Sequence, residues 1–236
     1  MSTFELTILG CGSALPTVRH LPSSQVIKLR DKAYMIDCGE GTQLQMRRMK
    51  VRFGMINHVF ISHAHGDHCL GLPGMLSTFG MLGRLADLHV YGPDEVEHFL
   101  QPVMQTVCQN LPYNVIFHTI DTTRFELVME DRSLEVYAIP LIHRVPTCGF
   151  LFKEKPMKSH LRKDMIDFHE IPIRFLAGIK NGDDYVTPDG ETIPNSRLTK
   201  PAREPIRYAY CSDTLFNPSI VPFIEHVDLL YYESTL

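Results

Sequence analysis

No apolar run in the 236-residue sequence approaches the ~20 residues that a membrane-spanning helix needs. The opening residues, MSTFELTILG, hold no basic stretch ahead of an apolar one, so no signal peptide is expected and a cytoplasmic protein is. Basic charge is not in excess: 23 Lys and Arg stand against 27 Asp and Glu, for a formal net charge of −4. The bulk protein is no polycation, and any nucleic-acid contact must come from a local basic patch. None of the six cysteines (Cys11, Cys38, Cys69, Cys108, Cys148, Cys211) falls in a CxxC pair. That argues against a cysteine zinc site and leaves buried free thiols in a reducing compartment. Internal repeats and low-complexity tracts are absent too.

What is present is 44% hydrophobic residues, enough for one sizeable core or two fused half-domains. Short strand patterns dominate the first third: FELTILG, SSQVIKL, KAYMID and NHVFI. TQLQMRRMK reads as a helix, and GLPGMLSTFGML as a second one interrupted by glycine. LHVYGP reads as a strand, and Glu95 to Asn110 has helical spacing. NVIFHTI, RFELVME and LEVYAIPLI form a run typical of an antiparallel sheet, followed by the strand CGFLF. From Lys153 to Glu204 the texture changes to charge and five further prolines. This excursion is too long for an ordinary loop. The strand pattern returns with IRYAYCSD, a helix-like NPSIVPFIEH and a last strand, VDLLYYES. Sheets with helices outside them, fed from both halves of the chain, predict a layered α/β sandwich.

The densest chemistry lies in SHAHGDH, residues 62–68. It occupies the loop beyond strand NHVFI, where a sheet can aim several side chains at one point. His63 and His65, two apart, leave one side of an extended segment together. Asp67 and His68 follow Gly66, which permits a tight turn. Two imidazoles facing one way, and a carboxylate with an imidazole facing another, suit two adjacent metal ions. Imidazole with carboxylate and no thiolate favours zinc, with manganese or iron as alternatives. Two further lone polar residues stand at strand ends: His143 after YAIPLI and Asp213 after IRYAYCS. Taken alone, each has a plainer reading, as a surface histidine and a helix N-cap. The remaining histidines, His58, His89 and His118 among them, fit no ligand pattern and read as structural or solvated.

SHAHGDH, His143 and CSDT, in that order and spacing, resemble the metallo-β-lactamase superfamily. The finer resemblance is to the ribonuclease Z family. LGCGSALPT resembles that family's opening strand and loop, IDCGEGTQLQM its second signature, YYESTL its HEAT-type motif, and GIKNGDDYVTPDGETI the return limb of its tRNA-gripping arm. The resemblance implies an αββα four-layer sandwich over residues 1–236, with a protruding arm at 153–204. It implies an endonuclease that removes the 3′ trailer from precursor tRNA, works as a homodimer, and needs neither DNA nor membrane. Position by position, His63, His65 and His143 would hold one zinc, Asp67 and His68 the other, and Asp213 would bridge them. Asp67 would also orient the attacking water and take its proton, leaving the tRNA with a 3′-hydroxyl.

Between Lys153 and Lys163 five cations (Lys153, Lys155, Lys158, Arg162, Lys163) face one acid, Glu154, which suits an arm that meets phosphate. Arg19, in the first loop, is a further candidate phosphate contact. The sequence departs from the family in three places. A final zinc-binding histidine and a leaving-group histidine lie, in the family, beyond Leu236, so a C-terminal part is expected to be missing and Glu233 to lack the histidine it positions. EIPIRFLAG stands where the arm often carries Gly-Pro. Tyr232 stands where a histidine commonly precedes the glutamate. Two alternatives use the same residues: a hydrolase of small esters, thioesters or lactams, and a binding protein with a decayed site.

Overall fold

The computed structural model describes residues 4–233. The chain forms two compact units, one from residues 1–153 with 206–236, the other from 154–205.

In the first unit, β1 (Phe4–Gly10), β2 (Ser24–Leu29) and β3 (Lys32–Ile36) pair antiparallel in sequence. The next strands, β4 (Ile56–Phe60), β5 (Leu88–Gly92) and β6 (Val115–Thr119), are added in parallel, giving a six-stranded sheet in chain order. Parallel addition needs crossovers, and helices supply them. These are α1 (Thr42–Arg48), the turn α2 (Gly66–Cys69) with α3 (Gly71–Met81), and α4 (Asp94–Val107). Asp94, Glu95 and Glu97 in the first turn of α4 complement its dipole.

β7 (Glu126–Glu130), β8 (Leu134–Pro140) and β9 (Cys148–Glu154) open the second sheet. The second unit follows. It contains β10 (His160–Leu161), α5 (Lys163–Phe168), α6 (Ile173–Lys180), β11 (Tyr185–Val186), β12 (Thr192–Ile193), α7 (Asn195–Leu198) and β13 (Thr199–Lys200). It has its own small core of Ile166, Ile171, Ile179, Tyr185, Ile193 and Leu198. Arg203 grips the buried Glu154 with two prongs, at 2.7 and 2.8 Å, where the chain enters and leaves it. Back in the first unit, β14 (Arg207–Cys211), the helical turn α8 (Val221–Ile224) and β15 (Leu229–Tyr232) complete a five-stranded sheet of order β15-β14-β9-β8-β7.

Strand alternation assigns the layers. Ile27, Tyr34, Ile36 and Phe60 of the first sheet meet Val136, Phe150, Phe152 and Tyr208 of the second. Their neighbours Val26, Met35 and Val59 turn the other way, onto Met46, Met75, Leu76 and Leu100 of the helices. Phe223 and Ile224 pack on the outer face of the second sheet. Helix, sheet, sheet and helix layers are thus present, as the sequence predicts for an α/β sandwich.

Three local expectations need correction. NVIFHTI does not join an antiparallel run: as β6 it lies parallel to β5 in the first sheet, because the α4 crossover returns the chain in the same direction. NPSIVPFIEH is no single helix; α8 stops at Ile224, and His226 sits at φ 64 in the turn beyond. Cys11 is exposed, while the other five cysteines are buried and all six are free. Among the described residues no helix is long and apolar enough to cross a membrane.

Candidate active site

Strands β3, β4 and β14 end side by side, with Asp37, Ser62 and Ser212 just beyond them. Asp37 is fully buried. Its Oδ1 accepts the Ser62 N–H at 2.7 Å, and its Oδ2 accepts from Ser62 Oγ at 2.9 Å, Tyr210 Oη at 2.6 Å and His68 Nδ1 at 2.8 Å. A buried carboxylate persists only with such a set of donors. The knot fixes where SHAHGDH begins.

From Ser62 the chain runs on as His63, which is fully buried, and then turns helical where an irregular loop was expected. His65 takes the N-cap position and Gly66–Cys69 make one helical turn, α2. The preceding segment lies tight against this turn. Cys38 donates its N–H to His68 O, and Gly71 N–H donates to Cys38 O, both at 2.8 Å. A Cβ on Gly39 would stand 2.3 Å from Asp67 O, so only glycine fits there. This is a physical reason for the glycine in IDCGEG.

The structure brings the expected residues together in two groups. His63, His65, His143 and Asp213 form one, His68, Asp213 and Glu233 the other, and within each group the candidate ligand atoms all lie within 4.8 Å of one another. His65 Nδ1 is 2.9 Å from His63 Nε2 and 3.3 Å from His143 Nε2. Asp213 Oδ2 is 4.0 Å from His63 Nε2 and 3.8 Å from His143 Nε2. Asp213 therefore belongs to both groups. Asp67 stands at the edge of the second: its Oδ2 accepts the Ala14 N–H at 2.8 Å and lies 3.5 Å from His68 Nε2.

Glu233 takes a place in the second group that sequence reasoning did not give it. Parallel pairing of β15 on β14 carries it there, and its Oε1 accepts from Tyr231 Oη at 2.9 Å and Ser23 Oγ at 3.1 Å. Asp37 and Tyr210 were not singled out either. The only signal for Asp37 was its place at a strand end in IDCG. Arg19 is exposed in the first loop, where its backbone N–H meets Thr17 Oγ1. His58, His89 and His118 lie away from these groups and stack across β4, β5 and β6.

The electrostatics favour a cation. Burial, with His68 alongside, pushes the His63 imidazole down to about 3, so its ring is neutral with a lone pair to give. Burial works against charge on His68 as well, but Asp37 raises it to about 9. A metal held there would displace that proton, and the carboxylate would hold the neutral ring in one tautomer. Burial and the neighbouring Asp213 carboxyl raise Glu233. Two facing carboxyls beside four imidazoles are a donor set that a divalent metal satisfies.

A mixed-sheet α/β sandwich with clustered His and Asp at its strand ends defines the chain as a metal-dependent hydrolase of the metallo-β-lactamase fold. A family model described as anti-Pycsar protein Apyc1 matches residues 4–160, a span that holds five of the expected ligands but not Asp213. Ribonuclease Z of Parabacteroides distasonis is 60% identical over the whole chain and 77% of that relative's length. The short form of human tRNase Z is 30% identical, with a TM-score of 0.58 over 63% of this chain and 64% of that one. A long-form yeast RNase Z shares the fold, at 17% identity and a TM-score of 0.62 over 99% of this chain and 33% of its own. The chain belongs to the ribonuclease Z family, and it is a nuclease.

Proposed function

We propose that this nuclease is a two-zinc endoribonuclease that removes the 3′ trailer from precursor tRNA and leaves a 3′-hydroxyl on the tRNA. The observation that carries the reading is Asp213, whose carboxylate is common to both ligand groups. His63, His65 and His143 would hold one zinc, and Asp67 and His68 the other, with Asp213 between. When bound, the pair supplies an acidified water and positive charge for the phosphate oxygens. Asp67 orients the attacking water and takes its proton. Asp37 keeps His68 turned to its ligand position, and Ser62 Oγ, 3.0 Å from His63 Nδ1, does the same for His63.

The inserted unit, residues 153–204 in the sequence reading, is proposed as the tRNA-binding exosite of a homodimeric, cytoplasmic enzyme. Of the expected cations, Lys153, on β9 of the first unit, pairs with Glu135 at 3.3 Å, and Arg162 pairs with Asp164 at 2.9 Å. Lys158 shares an open hollow of about 340 Å³ with Lys180, Ser159, Asn181 and Gly182. Two lysines and polar groups around such a hollow suit a phosphate backbone, not a base edge.

The test is cleavage of a trailer-bearing precursor tRNA by zinc-loaded protein, with Asp67→Ala as control and zinc counted per chain. Cleavage at the acceptor stem, abolished in the variant, with two zinc ions in the wild type, is the expected outcome. Normal cleavage by Asp67→Ala would falsify its assigned role.

A further inference from the structure

An imidazole that ligates a metal through one ring nitrogen carries its proton on the other, and that outer N–H needs an acceptor. The histidines of this centre differ in what they offer it. His63 Nδ1 faces Ser62 Oγ at 3.0 Å. His68 Nδ1 faces the Asp37 carboxylate at 2.8 Å. His65 faces a cation. Its Nδ1 is the inward atom, turned to His63 and His143, and its outer Nε2 lies 3.2 Å from Arg144 Nε.

In the metal-free ring Nε2 is free to accept that N–H. Once Nδ1 is committed to a metal, the ring proton sits on Nε2. Two N–H donors then face one another at 3.2 Å, a distance that leaves neither satisfied and no room for an oxygen between them. Arg144 cannot resolve the conflict by losing a proton, since a guanidinium stays charged. The conflict disappears if the exposed Arg144 side chain swings aside and an anionic oxygen enters to accept from both. The space it vacates opens to solvent, and Arg144 directly follows His143, so its backbone position is tied to the ligand cluster.

We propose that His65 Nε2–H and Arg144 form a two-donor seat for a non-bridging oxygen of the substrate phosphodiester, which makes Arg144 a substrate-binding residue. Solvent fills the seat in the free enzyme, and RNA displaces it. Arginine suits the task because its Nε–H and one Nη–H lie on a single edge, spaced for two oxygens of one phosphate. The inference rests on the metal reading above, because it is ligation of His65 Nδ1 that turns Nε2 into a donor.

The test uses zinc-loaded wild type, Arg144→Ala and Arg144→Lys. The probes are inorganic phosphate, titrated calorimetrically and as a competitive inhibitor, and bis(4-nitrophenyl) phosphate, a single phosphodiester with no tRNA attached. Arg144→Ala is expected to keep its zinc, to bind phosphate roughly 10- to 100-fold more weakly, and to raise KM for the diester more than it lowers kcat. Arg144→Lys, which keeps the charge but not the fork, should fall between. The salt dependence of precursor-tRNA binding should lose about one phosphate contact. Full zinc with unchanged phosphate affinity in Arg144→Ala overturns the proposal. Loss of zinc from that variant also overturns it, because Arg144 would then be supporting a ligand. A wild type that takes up no zinc removes the metal reading itself, and the seat with it.

Discussion

Nδ1 of His68 lies 2.8 Å from Oδ2 of Asp37, and neither side chain is more than 1% exposed. Asp37 stands at the end of β3 and His68 lies in the helical turn α2, and Ser62 and Tyr210 bind the same carboxylate from the end of β4 and from β14. One buried charge therefore sets the relative positions of three strand ends before any metal arrives. A charge at such depth is stabilising only while all its donors remain.

Asp37→Asn tests that dependence. The amide matches the carboxylate in shape, but it has one acceptor fewer and turns two N–H bonds toward donors. About 3 kcal/mol of stability should be lost, the lower end of the cost of breaking a buried charged pair. Zinc affinity should fall by about 10- to 100-fold, as when the outer partner of a ligand is lost. Denaturant titration and competitive chelation measure the two effects. Unchanged zinc affinity would mean that His68 needs no orienting group.

The stacked histidines away from the site make stability depend on pH. His58 lies between Tyr34 and His89 and within 3.3 Å of Tyr91 Oη, and burial, with His89 beside it, lowers its pKa to about 4. His118 is lowered for the same reasons, while Asp131 acts in the opposite sense on His58. A folded pKa below the unfolded value of 6.5 means that the unfolded chain binds more protons through that interval. The contribution is thus fully present above pH 6.5 and is lost as pH falls toward 4. Partial exposure of the ring limits it to about 2 kcal/mol. Urea midpoints at pH 7 and pH 5, for wild type and His58→Phe, measure it. The variant keeps the stack without the titration and should show a smaller pH 5 deficit. Equal deficits in both proteins would assign the loss to other groups.

What the sequence disclosed and what it hid divide along a physical line. HxHxDH, His143 and Asp213 were legible because each stands directly after an apolar strand run, and strand ends converge when the strands share a core. Asp37 was hidden because its importance depends on the parallel pairing of β3 with β4, and alternation does not state pairing direction. The same gap misassigned β6. Glu233 was hidden for a related reason, since only the parallel register of β15 on β14 carries it to Asp213. The helical turn at Gly66–Cys69 went unread because four residues are too few to show a helical period.

The proposed exosite role of the inserted unit separates grip from chemistry, and that separation can be measured. Lys158 and Lys180 stand on one hollow of residues 154–205, while every candidate ligand belongs to the other unit. A Lys158→Ala/Lys180→Ala double variant removes two cations from the proposed phosphate track and touches no ligand. Precursor-tRNA affinity should fall, and the slope of log affinity against log salt should shrink by about one to two contacts. Turnover of bis(4-nitrophenyl) phosphate and the zinc count should stay at wild-type values, because neither depends on a tRNA contact. If instead the double variant binds precursor tRNA with an unchanged salt slope, this hollow carries no backbone contact. The grip must then come from other cations of the chain, and charge reversal at Arg47, Arg48 and Lys50 along and just beyond α1 becomes the next measurement.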